Sequence, residues 1–308
     1  MKLALFGDLH GHFDDFDVEY FNQSDYDYLL FTGDLLGLIS LSHKVYFHLS
    51  QLKKKSFLIW GNHDGFRLHE LLAEIYSKKK WQVKESDWIK VNQRLEVIQK
   101  KLGKNFHCGG YQIFSLDEET AIFLVRPHSI GGKTIGYKNF LKMKYGVETF
   151  DDSIKKMKNL LHDYLQKKPK TKVLIFLGHN GPMGLGDLPM DIWGCDFQPD
   201  YGDFGDSDFA EIISFAQSIG LSIPLVVAGH MHHRISKKAF SYIKNLEKKE
   251  RIPIKKIHDT YYVNPAKVPR IIKDKNQKLH YYIYVEILEK KVKEIQEKYV
   301  QDKEEKEI

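Results

Sequence analysis

Residues 57–66 have the sequence FLIWGNHDGF. The first four are apolar or aromatic, which is typical of a buried strand. The run ends at a glycine and is followed directly by Asn62, His63 and Asp64, side chains that can bind a metal or transfer protons. The sequence therefore predicts a buried strand with functional groups at its carboxyl end.

Similar short apolar runs recur along the chain, at 2–6, 28–32, 56–60, 111–116, 121–125, 172–176 and 224–228. Amphipathic segments between them predict helices at 66–79, 91–103, 151–168 (with Asp151 or Asp152 as N-cap) and 206–220. Alternating strands and helices favour an α/β fold. Two pairs, 111–116 with 121–125 and 260–264 with 279–288, are predicted to form antiparallel hairpins. The sheet is therefore mixed, or there are two sheets.

The chain has 308 residues, and its length allows one large domain or two ordinary ones. No internal repeat or Pro/Ser-rich linker marks a boundary, so residues 1–288 are predicted to form one domain. Residues 289–308 are rich in lysine and glutamate and are predicted to be a charged helix or tail.

Polar side chains follow five of the predicted strands, each time directly after a glycine. Because ligands bind where the carboxyl ends of strands meet in open α/β sheets, these side chains are expected to converge. The glycines let the chain turn sharply and approach closely. The polar residues are Asp8, His10, Asp34, Asn62, His63, His179, His230 and His232.

Carboxylate, imidazole and amide groups form a donor set suited to Mn²⁺, Fe, Zn²⁺ or Mg²⁺. The pairs Asp8/His10 and His230/His232 are spaced i, i+2, so each pair can bind one ion from an extended segment. Seven of these eight residues, all except His63, are counted as metal donors. Seven donors exceed the needs of one ion but suit two ions that share a carboxylate. A single GNHD or GHMHH segment is more often a turn with surface histidines, but five such segments on successive strands indicate a metal site.

These segments, in order from Asp8 to His232, resemble the D-x-H, G-D, G-N-H-D/E, H and G-H-x-H pattern of the calcineurin-like metallophosphoesterase superfamily. The resemblance implies a four-layer α/β/β/α sandwich, in which two mixed sheets pack face to face and are flanked by helices. Segments 126–132, 202–208 and 263–270 are in addition similar to a subgroup found in cyanobacteria and plastids.

The resemblance also implies a role for each residue. One ion would be held by Asp8, His10, Asp34 and His232, and a second ion by Asp34, Asn62, His179 and His230. Asp34 would bridge two divalent ions, with Mn²⁺ the first choice. Two such ions lower the pKa of a bridging water from 15.7 towards about 7 for an in-line displacement. His63 would protonate the leaving alkoxide or hold the phosphoryl oxygens.

The second segment, GDLLG, departs from the pattern, because many relatives have a second Asp where this chain has Gly37. In the protein-phosphatase branch that Asp orients the catalytic histidine, so the departure argues against a protein phosphatase. His63 would be oriented by a backbone carbonyl or by Asp64 instead.

Substrate contacts are predicted for Arg126, which follows the strand 121–125, and for Asn62. A structural ion pair is the alternative for Arg126. The loop 180–206 is expected to shape the substrate entrance, with Trp193 or Phe197 available for stacking. A calcium site is a further alternative, with the ligands Asp200, Asp203, Asp206 and Asp208.

The net charge of +6 is unevenly distributed, since residues 231–308 carry 20 basic and 12 acidic side chains. The segment 234–258 could attract a polyanion, although a solvated lysine-rich surface accounts for many such runs. The two cysteines suit a reducing compartment, and no long apolar segment is present. The chain is therefore predicted to be cytoplasmic, without a membrane partner.

Three functions remain open. The first is a metal-dependent phosphoesterase for a small phosphomonoester, phosphodiester or nucleotide. The second is a nuclease that uses the basic segment 234–258. The third is an inactive metal-binding scaffold, against which the complete ligand set argues.

Overall fold

A computed structural model describes residues 1–37, 44–76, 83–197, 201–235, 250–274 and 277–303. The strands are, in chain order, β1 (Lys2–Phe6), β2 (Tyr28–Phe31), β3 (Lys55–Ile59), β4 (Phe106–Gly109), β5 (Gln112–Ser115), β6 (Thr120–Leu124), β7 (Val173–Leu177), β8 (Leu225–Val227), β9 (Ile254–Ile257), β10 (Thr260–Val263), β11 (Ile271–Asp274), β12 (Gln277–Leu288) and β13 (Lys291–Lys303). The helices are α1 (Asp15–Gln23), α2 (Lys44–Ser50), α3 (Leu68–Tyr76), α4 (Glu85–Leu102), α5 (Lys138–Tyr145), α6 (Phe150–Lys167) and α7 (Ser207–Ser218).

The strands form two mixed sheets. Sheet A has the order β11-β12-β1-β2-β3-β4, with β13 paired to β12, and its strands β1 to β4 run parallel. Sheet B has the order β5-β6-β7-β8-β10-β9, and its central strands β6, β7, β8 and β10 run parallel. All seven strands predicted from the apolar runs are present, and the hairpin of β5 and β6 is confirmed.

Alternating side chains of β1 show how the layers are arranged. Leu3 and Leu5 belong to the core cluster that also contains the buried residues of sheet B, whereas Ala4 and Phe6 belong to the cluster shared with α1, α2 and α4. Helices α6 and α7 contribute to the first cluster from the far side of sheet B. The layers therefore follow the order helices, sheet A, sheet B, helices, as the four-layer prediction requires.

The second predicted hairpin, 260–264 with 279–288, is wrong. Strand β10 pairs with β8 and β9 in sheet B, while β12 pairs with β1, β11 and β13 in sheet A. The two segments lie on different sheets, and β12 forms its hairpins with β11, which lies between the two segments, and with β13. Proximity in sequence favoured the wrong pairing.

The prediction of a C-terminal helix or tail is also corrected. Residues 291–303 form β13, which pairs with β12 along its whole length, and residues 304–308 lie outside the described part. The turn consists of Glu289 and Lys290, both with positive φ, of 50° and 67°. This two-residue turn carries neither Asn nor Gly, the usual hairpin signal. Lysine-rich composition is also what protects an edge strand from further pairing.

The N-cap of α6 is Thr149 rather than Asp151 or Asp152. Its side chain accepts a hydrogen bond from Asp152 N at 3.1 Å, and the Asp152 carboxylate accepts one from Thr149 N at 3.0 Å. Asp152 is thus the second member of a capping box. Among the described residues, no helix has the length and apolar character that crossing a bilayer requires.

Candidate metal centre

The carboxyl ends of β1, β2 and β3 from sheet A meet those of β7 and β8 from sheet B. Backbone hydrogen bonds join the loops that follow these strands, for example from His10 N to Asp34 O (2.9 Å) and from Gly229 N to His179 O (2.7 Å). All eight polar residues predicted from the strand ends are connected here through contacts with one another.

Asp8, His10 and His232 form one group of donors. His232 Nε2 lies 3.2 Å from both Asp8 Oδ2 and His10 Nε2. Two ligand atoms that each bond an ion at about 2.0–2.1 Å are separated by about 3.0–3.4 Å, so these spacings suit ligands of a common ion. Thr32 Oγ1 and the backbone N–H of His230 donate to the Asp8 carboxylate and fix its orientation.

Asn62, His179 and His230 form a second group. Asn62 Oδ1 lies 2.7 Å from His179 Nε2 and 3.1 Å from His230 Nδ1. Asp34 lies between the two groups. Its Oδ1 is 3.7 Å from His179 Nε2, and one of its carboxylate oxygens also lies close to ring nitrogens of His10 and His63. The position of Asp34 is therefore suited to contact ions on both sides.

The electrostatics of the cluster favour a cation. Burial opposes ionisation of Asp8, but its hydrogen bond with His232 and the neighbouring imidazoles hold its pKa well below the ordinary value. Burial lowers the pKa of His230 to about 3, which keeps the ring neutral, as a metal ligand must be. In the described part of the chain, no Lys or Arg forms an ion pair with Asp8 or Asp34. Two buried carboxylates, four imidazoles and an amide oxygen, with no Lys or Arg counter-charge among the described residues, fit a divalent ion.

Three of the cluster residues have an uncommon backbone conformation. The φ angles of His10, Asp34 and His230 are 43°, 50° and 66°, in the left-handed region. Such conformations cost on the order of 1–3 kcal/mol each and gather at functional sites, where the surrounding structure holds them. The strand ends thus turn sharply enough to direct these side chains to one place.

Two glycines permit the close approach of the loops. A Cβ at Gly61 would lie 2.2 Å from Asp34 Oδ1, and a Cβ at Gly229 would lie 2.3 Å from both Asp8 Oδ1 and Thr32 Oγ1. Any side chain at these positions would displace the carboxylates. The predicted role of the glycines is confirmed at both positions.

Several residues outside the predicted site hold the cluster in place. Thr32 contacts two of the donors, since its hydroxyl binds Asp8 and its carbonyl oxygen lies 2.6 Å from His179 Nδ1. Tyr137 donates from its hydroxyl to Asn62 O at 2.9 Å. The fully buried His128 lies with Nδ1 2.8 Å from Gly61 O. Thr32 follows a buried strand directly, which is a usable signal, whereas Tyr137 and His128 are remote in sequence.

The orientation of His63 differs from both alternatives derived from the sequence. Asp64 accepts hydrogen bonds from the backbone N–H groups of Asp34, Leu35 and Gly61, so its two oxygens tie the loops together and do not contact the His63 ring. Asp34 lies beside His63 instead, with Oδ2 3.5 Å from Nδ1 and Oδ1 accepting from the His63 backbone N–H at 2.8 Å. The His63 side chain remains 19% exposed, at the open side of the cluster.

Arg126 does not contact the cluster in the way predicted. Its side chain is 2% exposed and binds Asp206 through Nη2 and Asp208 through Nε, both at 2.7 Å. A guanidinium enclosed by two carboxylates is not available to a phosphate, so the substrate-binding assignment is corrected to the structural ion pair. The pairing with Asp206 and Asp208 also argues against the calcium alternative, and Asp200 lies outside the described residues.

Of the two aromatic residues predicted to be available for stacking in the loop 180–206, one is suited to it and one is not. Trp193 is fully buried, with its Nε1–H donating to Ala228 O at 3.1 Å, so it cannot stack on a substrate. Phe197 is 46% exposed and packs edge-on against Phe204. Most of the basic segment 234–258 lies outside the described residues, including Lys237, Lys238, Lys248 and Lys249.

The chain matches the family described as calcineurin-like phosphoesterase over residues 1–234, a range that contains all the donors from Asp8 to His232. The chain belongs to the calcineurin-like phosphoesterase family. It is therefore a metal-dependent phosphoester hydrolase. Among curated proteins, no sequence matches it.

Solved structures with a similar fold share little sequence with the chain. They include an archaeal phosphodiesterase (13% identity, 97% of this chain and 100% of that chain covered, TM-score 0.40), the phosphopantetheinyl hydrolase of Mycobacterium tuberculosis (12%, 87% and 90%, 0.44) and the calcineurin-like phosphoesterase YfkN of Bacillus subtilis (12%, 98% and 90%, 0.37). Identities this low carry no information about the substrate.

Proposed function

We propose that this chain hydrolyses a small phosphomonoester, phosphodiester or nucleotide with the help of two divalent ions. The observation that carries the proposal is the position of Asp34 between two groups of donors, one containing Asp8 and one containing Asn62. The choice of Mn²⁺, the cytoplasmic location and the cyanobacterial and plastid subgroup stay predictions from the sequence.

When bound, the ions would act as Lewis acids and lower the pKa of a water molecule. The residues of the chain supply orientation and proton transfer. A new bond forms from the water oxygen to phosphorus while the bond from phosphorus to the leaving oxygen breaks. The leaving oxygen takes a proton from His63, whose ring lies at the open side of the cluster, and the proton that the water loses passes to solvent, from which His63 is protonated again. Asp34 holds the backbone of His63 and keeps the ring next to the reacting phosphate.

Metal stoichiometry tests the proposal directly. After removal of metal by a chelator and reloading with Mn²⁺, we expect close to two ions per chain and hydrolysis only in the reloaded protein. Asn62→Ala should lose one ion, because it removes a donor from the second group alone. His162→Ala, which removes an exposed histidine on α6, is the matched control and should retain both ions. A firm value of one ion in the unmodified protein would contradict the two-ion mechanism.

The charge of the C-terminal part favours a second candidate, a nuclease. The stretch from Arg234 to Lys256 carries nine basic and two acidic residues. We expect the small-substrate function instead, because the loop 180–206 contains several acidic residues and no Lys or Arg. Replacing Lys237, Lys238, Lys248 and Lys249 by Gln should barely change kcat/KM for the best small substrate.

Binding to single-stranded DNA at increasing salt separates the two candidates. Several phosphate contacts would make log K fall with log salt by about 0.7 per neutralised phosphate. Tight binding that disappears between about 50 and 200 mM salt, and is lost in the four-lysine variant, would favour the nuclease.

A further inference from the structure

A cavity of about 610 Å³ lies beside His63, between the loops that follow β2 and β3 and one face of α4. Its volume is within the usual range for small-molecule sites, about 300–1,000 Å³. Nothing in the metal cluster itself requires it. The lining residues include Leu36, Phe66, Val97 and Ile98 on the apolar side.

Two residues connect this cavity, which we call the α4 cavity, to the metal cluster. His63 lines the cavity and also lies 3.5 Å from Asp34 Oδ2 through its Nδ1. Gly37 lines it as well, and a Cβ at this position would lie 3.6 Å from the Cβ and Nδ1 atoms of His10. A group bound in the α4 cavity would therefore lie next to the ring of His63, which is proposed to protonate the leaving oxygen.

Gly37 leaves space between the α4 cavity and His10, although the backbone conformation at this position does not require a glycine. Its φ is not in the left-handed region, and the nearest atoms to an added Cβ are those of His10 at ordinary van der Waals distances. An alanine or a larger residue could adopt this backbone. The missing side chain, which set the chain apart from many relatives in sequence, leaves room for substrate next to His10 and His63.

The charged residues of the α4 cavity have one sign. Four cationic residues line it, Arg67, Lys90, Arg94 and Lys101, and the described residues of its lining include no Asp or Glu. Arg94 is neutralised by Glu70, at 2.5 and 2.7 Å, and Lys90 pairs with Asp87 at 3.2 Å. Arg67 and Lys101 form no ion pair with any residue that the structure describes. Both are exposed and are available to an anionic group of a ligand.

We propose that the α4 cavity binds the leaving group of the substrate, and that this group is an apolar, aromatic or aliphatic body with a second anionic group at its far end. The phosphoryl group lies at the metal cluster, the apolar body lies against Val97 and Ile98, and the second anion meets Arg67 and Lys101. The inference rests on the proposed phosphoesterase function and narrows its substrate class to phosphoesters of anionic alcohols.

A pair of esters with the same ring system tests the proposal. We expect the Mn²⁺-loaded protein to hydrolyse 6-sulfonato-2-naphthyl phosphate with at least about a fivefold higher kcat/KM than 2-naphthyl phosphate, the scale that two exposed charge contacts supply. The difference between the two esters should appear in KM, and it should become smaller as the salt concentration rises, because exposed charge contacts are screened. Equal kcat/KM values for the two esters would overturn the proposal and leave the phosphoesterase function intact.

Charge reversal locates the anion site. In the double variant Arg67→Glu/Lys101→Glu, the preference for the sulfonated ester should fall about tenfold or reverse. Lys100→Glu is the matched control, because Lys100 is the neighbouring residue on α4, is exposed and does not line the cavity. An equal loss of preference in the control would show a general charge effect and would contradict a specific site.

Direct binding distinguishes failure of this inference from failure of the proposed function. If neither ester is hydrolysed by the reloaded protein, the phosphoesterase proposal fails. The product alcohol 6-hydroxynaphthalene-2-sulfonate can still be titrated by its fluorescence. Binding that is weakened in the double variant but not in Lys100→Glu supports the α4 cavity as an anion-binding site. Absence of binding to the unmodified protein overturns it.

Discussion

Two buried groups of carboxylates in this protein have opposite surroundings. Asp206 and Asp208 enclose Arg126, whose guanidinium contacts both at 2.7 Å. Asp8 and Asp34 are equally buried, at 1% and 2% exposure, but face imidazoles and backbone N–H groups. The first group is paired with an arginine of the chain, whereas the second group has no Lys or Arg partner among the described residues.

The presence or absence of an internal Lys or Arg partner separates a structural carboxylate from one that is free to bind a ligand. Burying a charge without a partner costs several kcal/mol, so a buried acid is either paired by the chain or kept for a ligand. Arg126 was assigned to substrate from its place after a strand, but its two partners make it structural. The absence of a Lys or Arg partner at Asp34, within the described residues, distinguishes the metal cluster.

Asp34→Asn should give the largest effect on activity. The substitution keeps the shape and the hydrogen bond from His63 N but removes the charge shared by both donor groups. We expect kcat/KM to fall by at least about 10⁴-fold, since metal ions supply several kcal/mol and each tenfold step is about 1.36 kcal/mol. Metal content and kcat/KM of the reloaded variant are the measurements.

The melting temperature in the presence of a chelator is the control for Asp34→Asn. Because the neighbouring imidazoles hold the pKa of Asp34 below its ordinary value, removing the charge should leave the metal-free fold unchanged or slightly less stable. A variant that binds two ions and turns over normally would show that Asp34 is not shared between them.

His63→Ala should give the next largest effect. The ring lies beside Asp34 but is one of the more exposed parts of the cluster, so metal content should stay the same. We expect kcat to fall by about 10²–10⁴-fold, the usual contribution of general acid catalysis. The loss should be smaller for esters with good leaving groups. Equal losses for activated and unactivated esters would indicate that His63 positions phosphate and donates no proton.

Arg126→Met should affect stability and leave the metal stoichiometry unchanged. Breaking a buried ion pair by removing one partner costs about 3–5 kcal/mol, because the other charges remain buried. The triple variant Arg126→Met/Asp206→Asn/Asp208→Asn removes all three charges and should recover much of that loss. Denaturant unfolding of the three proteins measures both effects. A loss of bound metal in the single variant at full stability would instead place Arg126 among the residues that support the cluster.

The pH dependence of the Arg126→Met variant has a definite sign. Burial already holds the pKa of Asp206 above its ordinary value, even with Arg126 lowering it. Without the guanidinium the folded-state pKa rises further, so folding favours the protonated acid. That contribution is present below the unfolded pKa of about 3.9 and is lost as pH rises. The deficit in unfolding free energy should therefore be larger at pH 7 than near pH 4.

The fold was largely predictable because each central strand is marked by a short apolar run in the local sequence. Each short apolar run is long enough for one buried strand, and all seven formed. Pairing was less predictable, because the partner of a strand depends on the whole sandwich. The error at β10 and β12 arose because a strand can pair with a partner that is not its neighbour in sequence. Strand β13 was missed because it follows a turn without Asn or Gly.

The donors of the candidate metal centre could be identified from the sequence, because they follow glycines at the ends of buried strands and parallel strands bring their ends to one edge. Which other charged residues reach that edge depends on the packing of the whole chain. This packing enclosed Arg126 between Asp206 and Asp208, turned Asp64 towards backbone amides, and placed Arg67 and Lys101 around one cavity. The physical reason is that a strand end is fixed by the local chain, whereas the neighbours of a long side chain are fixed by packing between elements that are distant in sequence.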